Sequence, residues 1–306
     1  MSAGKRGLRF APQLFTAFAL AVGLAASGMA QAQVAPKSFY ALNADGTGWR
    51  KLFQLEGYPA CGSPAVSPNG KEFAFDGWQV AGNQQQGPAL VFIVGLDGTN
   101  ARQLCPGQMP TWSPDGKFLV CSRGVQPYGL WIITPDGKDH KQVAQAWGAQ
   151  WSPDGKRIAY YSGLNLMVYD VETGGTRQVF SGDSQGYRQI FWNMTWSPDS
   201  TQVCLKGAKP DGTEEMALVD ASGSENGLKV RWSGKGLLAD FAWHPRGDRL
   251  VMAIRRPETK RSQLFEVDPD TEDPPTLVAG QDENLNHLGM CWTPDGKQLV
   301  VVSAER

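Results

Sequence analysis

Three features of the sequence predict an all-β fold, a six-bladed β-propeller. A turn phrase of the form Trp-Ser-Pro-Asp-Gly-Lys, or a near copy, recurs six times; each copy is followed by a short strand-forming run; and a second kind of turn alternates with the first. A period of about 45 residues with four strands per repeat is that of propeller blades.

The copies begin at Val66, Trp112, Trp151, Trp196, Trp243 and Trp292. Within the phrase, proline presets the first corner, aspartate tolerates the second, and glycine takes the left-handed position that a side chain resists. The runs that follow, FAF, FLVCS, RIAYYS, QVCLK, RLVMAI and QLVVVS, are rich in strand formers. Each copy is therefore predicted to be the inner hairpin of one sheet. The alternating turns, Ala44-Asp45-Gly46, Leu96-Asp97-Gly98, Pro135-Asp136-Gly137, Glu172-Thr173-Gly174-Gly175, Ala221-Ser222-Gly223 and Asp268-Pro269-Asp270, supply the outer hairpins. The chain starts on an outer hairpin, Phe39 to Phe53, and ends on an inner one, Met290 to Ser303. Pairing the two completes the sixth blade and removes the free sheet edges that invite aggregation.

These residues resemble the WD40-like (PD40) repeats of the TolB-like family, in which the same Ser-Pro-Asp-Gly phrase marks each blade of a six-bladed propeller. The resemblance runs from about residue 38 to residue 303 and leaves out the α/β domain that complete TolB carries before its propeller. It implies a binding scaffold for a protein, peptide or cell-envelope component, with no cofactor and no catalytic role.

Residues 1–32 read as a secretory signal peptide: Lys5, Arg6 and Arg9, an apolar run from Leu14 to Ala26, and small residues ending Ala30-Gln31-Ala32. The apolar run falls short of the ~18 residues that a membrane-spanning helix needs. Cleavage after Ala32 would leave residues 33–306 as one propeller domain, periplasmic or secreted, with no membrane span. The chain carries 29 Lys and Arg against 30 Asp and Glu, and the leader holds three of the basic residues and no acidic one. The mature surface is thus mildly acidic, which argues against nucleic acid as a partner.

Five cysteines, Cys61, Cys105, Cys121, Cys204 and Cys291, are an odd number, so at least one is unpaired within the monomer. Cys121 and Cys204 lie in apolar strands and are expected to be buried free thiols. Cys61, Cys105 and Cys291 fall just before predicted inner strands, where a bridge among them is open. Their spacing matches no zinc pattern.

The anchor tryptophans hold one place in successive blades, which makes them wedges between sheets rather than a stacking platform for sugars or bases. Asp115, Asp154, Asp199 and Asp295 share one turn position and are read as turn formers, not as acid–base groups or calcium ligands. Asp268, Asp270 and Asp273 read as a solvated acidic turn. Gly182-Asp183-Ser184-Gln185-Gly186 fits G-x-S-x-G but lacks the strand and helix that a nucleophile elbow needs. His140 and His244 are expected in short turns at one end of the ring and His287 in a loop at the other, so three His ligands do not assemble.

The long, dissimilar connections gather at the end opposite the repeat turns: residues 54–63, 76–89, 122–129, 180–195, 206–215, 233–240 and 279–289. Loops on a rigid scaffold concentrate function. Aromatic residues and arginine recur at recognition hot spots, and the binding candidates are Tyr58, Trp78, Trp147, Tyr187, Arg188, Trp192, Asp240 and His287. Of these, Trp147, Trp192, Asp240 and His287 enter inner strands and are expected nearest the axis. The alternative role for such side chains is to plug the channel. The rival function is a carbohydrate lyase or hydrolase using Asp, His and Arg of the same face.

Overall fold

Six antiparallel sheets of four strands, one with a short fifth, make up the computed structural model, which describes residues 35–305 apart from 83, 225 and 226. The expected signal peptide lies outside the described residues. Blade 1 runs outward through Ala60–Val66, Glu72–Ala81, Gln84–Gly95 and Arg102–Pro106, and blade 2 through Gln108–Trp112, Leu119–Arg123, Gly129–Ile133 and Asp139–Ala144. Blade 3 comprises Trp147–Trp151, Arg157–Ser162, Asn165–Asp170 and Thr176–Ser181. In blade 4 the inner edge is split into Gln189–Ile190 and Thr195–Trp196, followed by Gln202–Ala208, Glu214–Asp220 and Leu228–Gly234. Blade 5 has Leu237–Trp243, Leu250–Arg255, Ser262–Val267 and the short Thr276–Leu277. Blade 6 takes Asn286–Trp292 and Gln298–Ala304 from the end of the chain and Lys37–Asn43 and Arg50–Phe53 from its beginning.

That joint is a full-length pairing, from Lys37 opposite Ala304 to Asn43 opposite Gln298. The innermost strands of neighbouring blades touch in order around the ring, and those of blades 6 and 1 close it.

The repeat phrase forms one hydrogen-bonded device. In blade 2 the Ser113 hydroxyl donates to Asp115 Oδ1 at 2.7 Å and accepts the Phe118 N–H at 3.0 Å, while Asp115 Oδ1 also takes the Lys117 N–H at 3.1 Å. These donors hold the Asp115 carboxyl below the usual carboxylate range. Ser67 with Asn69, Ser152 with Asp154, Ser197 with Asp199 and Thr293 with Asp295 repeat the pattern. In blade 5, His244 stands at the serine position and its Nδ1 takes the Arg246 N–H.

The tryptophans bridge blades as wedges. Trp112 donates its Nε1–H to the Ala65 carbonyl of blade 1 at 3.1 Å, and Trp196 reaches Gln150 of blade 3 at 3.0 Å. Trp151 is buried with Val120, Leu130 and Ile132 of blade 2, whereas Trp243 and Trp292 are half-buried. Six apolar clusters, each dominated by facing residues of adjacent sheets, form the core in place of one central mass.

Several connections differ from the sequence expectation. Residues 76–89 and 206–215 are not open loops: the strands continue, with Gln79 opposite Gln86 and Ala208 opposite Glu214, so both are extended hairpins. Within 180–195, Asp183–Gln185 is one turn of 3₁₀ helix and Gln189–Ile190 pairs with Ala208 and Gly207. The Ser184 hydroxyl there donates to the Ser181 carbonyl. His140 and His287 lie in strands rather than in a turn and a loop. Cys105 lies in the outer strand of blade 1, and Cys61 and Cys291 lie inside inner strands, not before them. All five cysteines are free. No helix among the described residues is long and apolar enough to cross a membrane.

Candidate functional site

The inner strands share an irregularity that shapes the axis. In five blades the pairing register shifts two to five residues before the anchor, as between Gly62 and Ala65, Gln108 and Thr111, or His287 and Met290. A bulge of this kind turns one residue out of the ladder and leaves its N–H free for another acceptor. Ser63, Met109 and Gly148, three residues before their anchors, have φ of 49°, 51° and 69°. The freed amides are taken by the neighbouring blade: Met109 N–H donates to Asp76 Oδ2 at 2.8 Å, and Gly148 N–H to Ser122 Oγ at 2.9 Å. Asp76 and Ser122 occupy the same place on the second strands of blades 1 and 2.

The channel enclosed by these strands has a volume of about 420 Å³. Its wall includes Ser63, Met109, Asn193 and Asp240, each three residues before its anchor, and Met290, two before its own, so five different blades contribute. Asp240 is held by the Asn193 amide at 2.7 Å. Burial pushes its carboxyl upward, and the Asn193 donor and the Lys37 charge offset only part of this. Asp76 is 3% exposed, and its Oδ1 has no hydrogen-bond partner. Burial raises this carboxyl too; the Met109 N–H, the neighbouring Ser63 hydroxyl and Lys37 oppose the rise, and the charge of Asp240 adds to it. Asp240 is thus the carboxylate on the channel wall, with Asp76 buried behind Met109 and both in the field of Lys37, and a donor brought to Asp240 by a ligand would be favoured.

The eight candidate residues are dispersed. Asp240 lies on the channel wall. Trp192 adjoins Asn193 on the rim, 37% exposed, with its ring edge-on to Tyr161 at 6.2 Å. Arg188 is exposed in the same connection. Trp147 is half-buried, with its ring over Gly124. Trp78 is half-buried with Lys37 Nζ 5.3 Å from its ring centroid, and Tyr58 packs edge-on against Phe92. Tyr187 is 2% exposed and donates its hydroxyl to Glu215 at 2.5 Å, with Lys209 over its ring at 4.0 Å. It pins the 180–195 connection to the extended hairpin of blade 4.

The expectation that His287 lies in a loop near the axis is overturned. It is 0% exposed inside blade 6, its Nδ1 bonded to Ser303 Oγ at 2.8 Å and its ring edge-on to Trp49. The residues that sequence reasoning missed are Lys37, Ser63, Asp76 and Asn193. For Asp76 a signal exists: a carboxylate directly after the apolar run Phe73-Ala74-Phe75.

A wider depression of about 900 Å³ lies at the opposite end of the ring, walled by turn residues including Asn69, Arg246 and Asp295. Asn69 and Asp295 are taken up by their own turns, so the channel mouth holds the stronger unmet hydrogen-bonding capacity. Among the described residues no three His, Cys, Asp or Glu side chains gather as a metal ion needs.

The molecule is thus a closed six-bladed propeller with a polar, carboxylate-bearing channel mouth at the end of its longer connections. Its fold is similar to that of TolB-type propellers. A protein described as TolB from Agrobacterium tumefaciens matches with a TM-score of 0.68 and 16% identity, over 89% of this chain and 99% of that one. TolB from Acinetobacter baumannii matches at 0.59 and 14% identity, over 89% of this chain and 65% of that one. Hydrazine synthase from Kuenenia stuttgartiensis matches at 0.56 and 17% identity, over 78% and 72%. At such identities the likeness establishes the fold. No protein-family model and no curated protein matches the chain.

Proposed function

We propose that this propeller is an exported, periplasmic binding scaffold that receives a protein, peptide or cell-envelope component at its channel mouth and performs no chemistry on it. The observation that carries the reading is the carboxylate of Asp240 on the channel wall, held by the single side-chain donor Asn193, which belongs to the same connection that exposes Trp192 and Arg188. A rigid ring with an aromatic rim and buried acceptors suits a ligand that brings its own donors, such as a peptide amide or a lysine side chain. The likeness in fold to TolB proteins supports the same reading by analogy. The rival carbohydrate enzyme needed Asp, His and Arg together on one face, and His287 is withdrawn into blade 6.

The test is capture of envelope components on the immobilised protein, with the retained partner then titrated. Arg188→Ala with Trp192→Ala should weaken its binding by at least about 2 kcal/mol with little change in melting temperature. Asp136→Ala with Lys138→Ala, in an exposed turn of the opposite end, should change neither. Loss of binding with the second pair and not the first would overturn the assignment of the face. Cell fractionation tests export directly, with the cytoplasm as the adverse result.

A further inference from the structure

Cys105 and Cys121 come from different blades and meet in one buried cluster with Val91, Trp112 and Ile133. Cys105 lies on the outer strand of blade 1 at 6% exposure, and Cys121 on the second strand of blade 2 at 0%. Val91, the ladder partner of Cys105, and the Cys121 sulfur both pack against Gly107, two residues beyond Cys105. Gly107, in the segment that joins the two blades, permits this approach, because a Cβ there would stand 3.0 Å from Cys121 Sγ. Arg123, two residues beyond Cys121, neighbours both sulfurs and is itself fixed by Asp139 and by the Trp131 ring at 4.9 Å.

We propose that Cys105 and Cys121 form an oxidisable dithiol whose disulfide staples blade 1 to blade 2. The two sulfurs are not equivalent. The Cys121 S–H donor and the Arg123 charge draw the Cys105 thiol downward, while Cys121 is pushed well up by Cys105 and by burial. Cys105, the more exposed and more acidic of the two, is the attacking group, and Cys121 resolves. With a low-molecular-weight disulfide as oxidant, the Cys105 thiolate attacks one of its sulfurs, forming a mixed disulfide and expelling a thiolate. Cys121 gives up its proton and attacks Cys105 Sγ, breaking the mixed disulfide and releasing the second thiolate. Both protons end on the two small thiols, and the two electrons lost by the cysteines reduce the oxidant.

The other thiols are not placed for this. Cys61 lies five residues before its anchor and Cys291 one before its own, so strand rise separates their levels by roughly 13 Å. Burial pushes both up to about 12. Cys204 is buried in a cluster that contains no other cysteine.

The experiment treats the native protein with oxidised glutathione, quenches with acid, and counts thiols after denaturation. Five thiols should fall to three, with a disulfide-linked peptide pair containing Cys105 and Cys121 and a monomeric species on a non-reducing gel. The melting temperature should rise by roughly 5 °C, because the link closes a loop of about 17 residues in the unfolded chain. Cys121→Ala should stop at glutathione on Cys105, which reports the order of attack even if that variant is less stable. Five thiols surviving in the wild type, a different pairing, or glutathione remaining on Cys105 of the wild type would each overturn the proposal.

Discussion

Lowering the pH should destabilise this protein through His287. The side chain is fully buried, its Nε2 has no hydrogen-bond partner, and burial pulls it from 6.5 to about 4, with the nearby Asp282 backbone and carboxylate opposing without cancelling the shift. Above pH 6.5 the ring is neutral in both folded and unfolded chains and contributes no pH dependence. As pH falls through 6.5 the unfolded chain takes up a proton that the folded one refuses, so stability drops until the folded ring itself protonates near pH 4. The interval of ~2.5 pH units corresponds to roughly 3 kcal/mol, of which about 2.5 is lost by pH 4.5. Urea unfolding of wild type and His287→Gln at pH 7.0 and 4.5 measures it, the wild type losing about 2.5 kcal/mol more than the variant. Turn carboxylates such as Asp115, which are held below 3.8, lose their contribution only as pH falls through and below that value, and Asp76 and Asp240, which are pushed up, act the other way at higher pH. All of these are common to both proteins and cancel in the comparison. Parallel losses in the two proteins would refute the reasoning, showing that His287 takes up its proton as readily folded as unfolded.

Trp151→Ala should cost about 3 to 5 kcal/mol in chemical denaturation; its Nε1 has no partner, so the loss is one of volume, and a value below about 1 kcal/mol would show that it is not wedged between blades. Gly98→Ala should cost at least ~2 kcal/mol, since the residue has φ +83° and a Cβ would enter the van der Waals shell of the Leu52 carbonyl oxygen in blade 6; an unchanged melting temperature would contradict that packing. Deleting Met290 to Arg306 removes the last three residues of one strand, its anchor included, and the whole of the next from blade 6 and should give an aggregating chain, whereas a soluble monomer with an undiminished melting temperature would sink the closure.

The ring is readable from its turns in the sequence, because Ser-Pro-Asp-Gly acts locally: the serine and aspartate bonds that fix each inner hairpin span at most five residues. Blade order and the joint at the ends followed from counting such turns. The channel mouth was legible only in part. Asp240 and Trp192 were recognisable as residues leading into inner strands, but the bulge that aims the level of Ser63 and Met109 puts non-glycine residues at positive φ, which local composition does not announce. For Asp76 the sequence shows only a carboxylate next to an apolar run, and its partner amide, Met109, lies in the next blade. The extended hairpin after Asp76 was read as a loop because its polar tip, Gln84-Gln85-Gln86, is exposed on both faces and carries no alternation. The pairing of Cys105 with Cys121 depended on which face of an outer strand met the next sheet, a matter of packing between blades.

The joint of blade 6 also bears on the order in which the molecule is made. Five blades are built from neighbours in the sequence, but the hydrogen bond from Gln298 to Asn43 spans 255 residues. Such a contact cannot form until Gln298 has left the ribosome, and loop closure of that length comes late in folding. Until then the strands at Lys37–Asn43 and at the far side of blade 5 lack their neighbours. The strand Gln298–Ala304 is therefore the element on which both depend: it pairs with Lys37–Asn43 on one side and Asn286–Trp292 on the other, and neither edge is hidden before it is made.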